Sequence, residues 1–203
     1  MKLSKRQNAI IVGSILGDAY VQATGKKNAR LRYEHGGKQK SYLFWKVKEL
    51  RPLFNGSPRY LKRKHPISGG TYTYWRHQSL SNELFGRWRR FFYPNGIKNI
   101  PKTLARVLTE PVALAVWYMD DGYYYQKENS SYLYLGRTSQ IEAQRAQFAL
   151  KKNFDLSPVI TDKKRKGFAL YFSPKQTEKL HALVSPFMLP MFAYKLQHNS
   201  LTP

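Results

Sequence analysis

The chain contains five aspartates, and three of them end apolar runs. Asp18 closes Ile10-Ile11-Val12-Gly13-Ser14-Ile15-Leu16-Gly17, and Asp120 and Asp121 close Val112-Ala113-Leu114-Ala115-Val116-Trp117-Tyr118-Met119. If both runs are helices, the carboxylates sit where the helix dipole is negative, which disfavours an anion unless a cation offsets it. One such aspartate alone reads equally well as an ordinary polar residue at a helix end. Two at matching places read differently. Two buried helices side by side would bring Asp18 and Asp121 together, and paired carboxylates are hard oxygen ligands suited to Mg²⁺ with several waters retained. Beside a phosphodiester, such a pair supports metal-assisted hydrolysis.

Gly13 and Gly17 stand four apart on one helix face, where missing side chains let a second helix approach closely. Lysines supply candidate cations. Lys98 follows Phe91-Phe92-Tyr93-Pro94, and Lys195 follows Pro190-Met191-Phe192-Ala193-Tyr194, so each stands after an aromatic, proline-containing segment. The five histidines, His35, His65, His77, His181 and His198, lack the close spacing of a metal site and are read as surface or nucleic-acid contacts.

These side chains need elements to hold them. Ser4 with Gln7 and Ser139 with Glu142 read as capping boxes, and Ser173 with Gln176 as a third, with Pro174 at the first helical position. Thr109 before Pro111 opens a helix through Asp120. A further helix, from Ser41 to Phe54, places Leu43, Val47, Leu50 and Phe54 on one face. Strands are expected at 29–35, where Arg30, Arg32 and Glu34 alternate with Leu31, Tyr33 and His35. Others are expected at 58–65, 71–76, 123–126, 131–137, 159–163 and 168–172, the last pair joined by Lys164-Arg165-Lys166-Gly167. In order this is helix, two strands, helix, two strands, helix, and the pattern restarts near Thr109. The chain is therefore an internal repeat of about 100 residues, an α+β protein of two αββαββα halves, 1–100 and 101–203.

Composition narrows the chemistry. Lys and Arg number 35 against 12 Asp and Glu, a net charge of +23 over 203 residues, while 42% of residues are hydrophobic. That is too apolar for a disordered basic tail and long enough to bury a core. So much positive charge on a folded chain points to nucleic acid before a membrane surface. The chain has no cysteine, which excludes disulfide scaffolds, thiol catalysis and cysteine zinc sites. No apolar run reaches membrane-spanning length, and no apolar signal core follows Met1-Lys2-Leu3-Ser4. Strands interleaved with Arg, Lys, Tyr, Thr and Gln suit the DNA major groove.

On these motifs the sequence resembles the LAGLIDADG homing endonucleases, in their single-chain, two-motif branch. The motifs stand here as Ile11 to Ala19 and Leu114 to Gly122. The resemblance extends to Leu16-Gly17-Asp18-Ala19-Tyr20, Trp117 to Gly122, Lys98-Asn99-Ile100-Pro101 and Tyr194-Lys195-Leu196, in order along almost the whole chain. It implies a pseudo-twofold fold with both motif helices at the interface and saddle-shaped antiparallel sheets on double-stranded DNA. It also implies a site-specific double-strand DNA endonuclease working as a monomer. By the pattern Asp18 and Asp121 are the catalytic carboxylates, holding Mg²⁺ or Mn²⁺ with Ala19 and Asp120 beside them, and Lys98 and Lys195 are the active-site lysines. Val116 and Asp120 stand where the first motif has Gly13 and Gly17, so the helix interface is asymmetric. An intron-RNA maturase or a DNA-binding regulator on the same fold stays open. An intein remnant is the weaker reading, because a chain beginning at Met1 without cysteine lacks the splicing nucleophile.

Overall fold

The computed structural model describes residues 3–64 and 69–197. His65 and His198 lie outside the described residues. The order is α1 (Lys5–Leu16), β1 (Tyr20–Ala23), β2 (Ala29–Gly36), α2 (Lys40–Glu49), β3 (Arg59–Lys64), β4 (Thr71–Gln78) and α3 (Glu83–Phe92). The same pattern then repeats as α4 (Pro111–Asp121), β5 (Gly122–Tyr125), β6 (Ser130–Gly136), α5 (Gln140–Phe154), β7 (Val159–Asp162), β8 (Phe168–Phe172) and α6 (Pro174–Val184). The αββαββα repeat is present. Each half contributes a four-stranded antiparallel sheet, in order β1-β2-β4-β3 and β5-β6-β8-β7.

By compactness the chain divides into residues 18–95 and a second unit of residues 1–17 with 96–203. α1 therefore belongs with α4 and the second sheet. α4 is buried all round, from Val112 to Met119, which is why its sequence shows no amphipathic period. Burying each of its large apolar side chains contributes about 1.5–3 kcal/mol. α1 is buried from Ala9 to Leu16 and begins with a full capping box. Ser4 Oγ accepts from the Gln7 N–H at 3.1 Å, and Gln7 Oε1 accepts from the Ser4 N–H at 3.1 Å.

In the 18–95 unit, β2 alternates as its sequence foretells. Ala29, Leu31, Tyr33 and His35 are buried, with Arg30, Arg32 and Glu34 on the wetter face. α3 is capped by Asn82, whose Oδ1 accepts from the Phe85 N–H at 3.0 Å.

Strand ends shift by a residue or two from the sequence reading, and three helix ends also differ. α2 stops at Glu49 rather than Phe54, because Pro52 lacks an N–H and cannot continue a helix. Leu50, Leu53 and Phe54 remain buried in the turn that follows. α6 has no side-chain cap at Ser173, and the Gln176 side chain, the other half of the expected capping box, accepts from the Ser157 N–H at 2.6 Å instead. The N-cap of α4 is Glu110, not Thr109, again without a side-chain bond.

Candidate active site

α1 and α4 pack face to face, and the two glycines of α1 make this possible. A Cβ built on Gly13 would collide with the Ala113 carbonyl and lie 2.9 Å from Val116 Cβ. One on Gly17 would lie 2.5 Å from Asp120 Cβ. Asp120 is thus turned onto the α1 face at Gly17, and Asp121 follows as the last residue of α4. Both are partly exposed. Asp18 directly follows the α1 cap residue Gly17 and is exposed, while Ala19 beside it is 3% exposed.

Each helix end receives one lysine. Lys98 Nζ donates to the Leu16 and Gly17 carbonyls at 3.1 and 2.5 Å. Lys195 Nζ donates to the Met119 carbonyl at 2.8 Å, with the Tyr118 and Asp120 carbonyls at 3.4 and 3.5 Å. These ammonium groups are the cations that carboxylates at helix C-termini require. The matched context of the two lysines in the sequence therefore corresponds to a matched role in structure.

Other side chains fix the lysines. The segment bearing Lys98 is clamped by the start of α5. The Ile100 N–H donates to Glu142 Oε1 at 2.9 Å, and Arg145 Nη1 donates to the Ile100 carbonyl at 2.9 Å. Burial works against the Glu142 charge, but the Ser139 and Ile100 N–H groups hold its carboxyl below the usual value. Lys195 is 8% exposed, and its own carbonyl accepts from the Tyr118 hydroxyl at 2.9 Å. Behind Tyr118 lies His181, wholly buried. Its Nδ1 accepts from the Gln197 N–H at 3.1 Å, so its proton sits on Nε2, which faces Ser131 Oγ at 3.1 Å and Tyr118 Oη at 3.2 Å. Burial lowers the His181 pKa to about 4 and pushes the Tyr118 phenol up.

The histidine reading needs correction. His35, His77 and His181 are buried, not surface residues. His35 occupies the apolar phase of β2, and that alternation was the signal in the sequence that it points inward. It also presents a ring nitrogen within 4.8 Å of an Asp18 carboxylate oxygen. Tyr118 and His181 gave no comparable signal, because nothing in their local sequence marks a long-range network.

Residues 8–180 match the family model described as the LAGLIDADG DNA endonuclease family. The chain belongs to that family. Among curated relatives of this LAGLIDADG protein, a probable intron-encoded endonuclease 1 of Wickerhamomyces canadensis is 28% identical, over 97% of this chain and 86% of the relative. The DNA endonuclease I-ChuI of Chlamydomonas applanata is 27% identical, over 98% of both chains. Among solved structures, the homing endonuclease I-WcaI bound to its DNA recognition sequence superimposes with a TM-score of 0.87 at 28% identity, over 97% of this chain and 88% of that one. The two LAGLIDADG helices of this protein are therefore α1 and α4.

Proposed function

We propose that Asp18 and Asp121 are the metal-binding carboxylates with which this LAGLIDADG protein hydrolyses DNA. The protein is a site-specific DNA endonuclease, and double-stranded DNA is its substrate. The observation that supports the carboxylate assignment is the pairing of α1 with α4, each ending in aspartate and each with a lysine on its last carbonyls. One chain supplies both helices, so one chain suffices as the working unit. The halves 1–100 and 101–203 would each provide one carboxylate and one lysine.

The donor set fits a hard divalent cation. Asp18 is solvent-reachable, Asp121 is partly so, and Asp120 and the Ala19 backbone lie next to them in sequence. Carboxylate and carbonyl oxygens suit Mg²⁺ or Mn²⁺. Such an ion, when bound, lowers the pKa of water and offsets charge growing on the phosphate. The chain's own contribution is to hold the acids at fixed helix ends. Lys98 and Lys195 cancel the helix-terminal dipole and place a positive charge where a scissile phosphate would lie. The exposed Arg59, Lys62, Arg63 and Lys64 of β3 would grip the phosphate backbone.

Cleavage and gel-shift assays test this reading. Asp18→Asn and Asp121→Asn should each abolish double-strand cleavage while leaving DNA affinity intact. Asp120→Asn should be milder, because that side chain packs against Gly17. Full cutting by either of the first two variants overturns the metal assignment. Equal loss in Asp120→Asn means the wrong member of the pair was chosen. A wild-type protein that cuts no duplex but speeds intron folding would replace the nuclease reading with an RNA-binding one.

A further inference from the structure

In the 18–95 unit a lysine is wholly buried. Lys46, on α2, is 0% exposed, and its ammonium lies 4.2 Å from the Tyr42 ring centre and 5.0 Å from that of Tyr33. Facing two aromatic rings offsets part of the cost of desolvating the charge. Its Nζ is 3.4 Å from Nε2 of His35, which is 2% exposed. The same two tyrosines hold the His35 ring, Tyr33 stacked at 6.2 Å and Tyr42 tilted at 4.9 Å. An ammonium can only donate, so Nε2 accepts, and in the neutral ring the remaining proton belongs to Nδ1. Asp18 approaches this ring, with a carboxylate oxygen within 4.8 Å of a ring nitrogen. Lys46, His35 and Asp18 thus form one series from a buried cation, through a fixed imidazole, to an exposed anion.

Among the described residues the other half lacks this series. Tyr20 pairs with Arg32 across β1 and β2, and Tyr123 pairs with Tyr132 across β5 and β6. The residue three positions beyond each partner is His35 in β2 and Leu135 in β6; Leu135 stands at a register irregularity between Tyr134 and Gly136 and is half-buried, where His35 is buried. The buried residues of α5, the helix corresponding to α2, are Ala143, Ala146, Ala149, Leu150 and Phe154, with no lysine among them.

We propose that His35, fixed by Lys46, is a positioning residue that orients the Asp18 carboxylate, and that this support serves only one of the two cleavage steps. The inference rests on Asp18 being a metal-binding carboxylate. The ring nitrogen facing Lys46 is occupied as an acceptor, so His35 acts on the carboxylate rather than as a ligand itself. Groups standing behind metal ligands typically alter affinity or activity roughly 10-fold to 100-fold when removed, and the strand served by Asp18 should slow by that order.

The test compares wild type with His35→Leu/Lys46→Met, which gives this half the leucine of the other and strands no buried charge, and with His35→Gln, which restores an acceptor for Lys46. Two quantities are read: strand-resolved single-turnover cleavage of an end-labelled target, and Mn²⁺ titration of the protein–DNA complex by electron paramagnetic resonance. The double variant should slow one strand, weaken one class of Mn²⁺ binding, and keep its DNA affinity in EDTA. His35→Gln should recover part of both losses. If the double variant melts below the assay temperature, Lys46→Gln, which removes only the cation, should weaken the same Mn²⁺ class. Wild-type Mn²⁺ binding and wild-type rates on both strands overturn the proposal, and so does equal slowing of both strands. Asp18→Asn run in parallel separates the two readings. If it still cuts, the carboxylate assignment fails. If it is inactive while the His35 and Lys46 variants behave as wild type, only the positioning role fails.

Discussion

Gly13→Ala is the sharpest probe of the helix pair that carries the two acidic ends. The new methyl would sit 2.9 Å from Val116 Cβ and collide with the Ala113 carbonyl, a backbone atom that no rotamer change can move away. Apolar carbon contacts are comfortable at about 3.5–4.0 Å, so α1 and α4 must part by an appreciable fraction of an ångström along their contact. Overpacking of this kind costs about 1–3 kcal/mol. Alanine returns about 1 kcal/mol through its better helix propensity. The net loss is then about 0–2 kcal/mol, or a fall in Tm of up to about 8 °C for a chain of this size. Cleavage should fall as well, because α1 leads directly into Asp18. Thermal unfolding followed by far-UV circular dichroism, with cleavage rates below the transition, measures both. A variant as stable and as active as wild type would refute the claim that glycine is required for this approach.

Lys98→Met and Lys195→Met should slow cleavage of opposite strands and accumulate nicked duplex, as strand-resolved gels will show. Lys195→Met should also cost more stability, about 1–3 kcal/mol, because it leaves buried carbonyls unpaired, whereas the exposed Lys98 should cost about 0.3–1 kcal/mol. His181 makes stability depend on pH. Its folded pKa of about 4 lies below the unfolded value of 6.5. The unfolded chain therefore takes up a proton first, and stability present above pH 6.5 is lost as pH falls towards 4, by roughly a few kcal/mol at most. Urea midpoints for wild type should drop across that window more steeply than those for His181→Gln, and parallel curves would count against it. DNA affinity should fall steeply with salt, in keeping with +23, and a log–log slope near zero would argue against a long phosphate interface.

The repeat, the two acid-ended helices and the glycine contact were legible because they rest on local signals: capping pairs, apolar runs, and residues lacking side chains four apart. The α2 boundary misled because Leu50 and Phe54 are buried as periodicity suggested, yet through a turn imposed by Pro52. Ser173 shows the limit of cap motifs. Its Gln176 partner has the right spacing but is drawn to Ser157, a contact nineteen residues away in sequence. The matched lysines could be singled out, but what holds them could not. Glu142 reads from sequence as a capping residue, and it is one, while its other oxygen clamps the Lys98 segment. His35 was misread because it was judged only by its spacing from the other histidines, and the strand period it belongs to would have placed it correctly.

The first sheet ends in β3, whose outer edge has no strand paired to it among the described residues. A bare edge offers an open row of amide and carbonyl groups to any extended chain, including another copy of this one. Arg59, Lys62, Arg63 and Lys64 stand along it in the exposed state. Two such edges meeting would press like charges together at four of the six positions of each strand. The charge suited to gripping phosphate thus also guards the chain against growing into fibres. Trimming those residues to relax DNA affinity would weaken that guard, and a tendency to aggregate would accompany the loss of phosphate contacts.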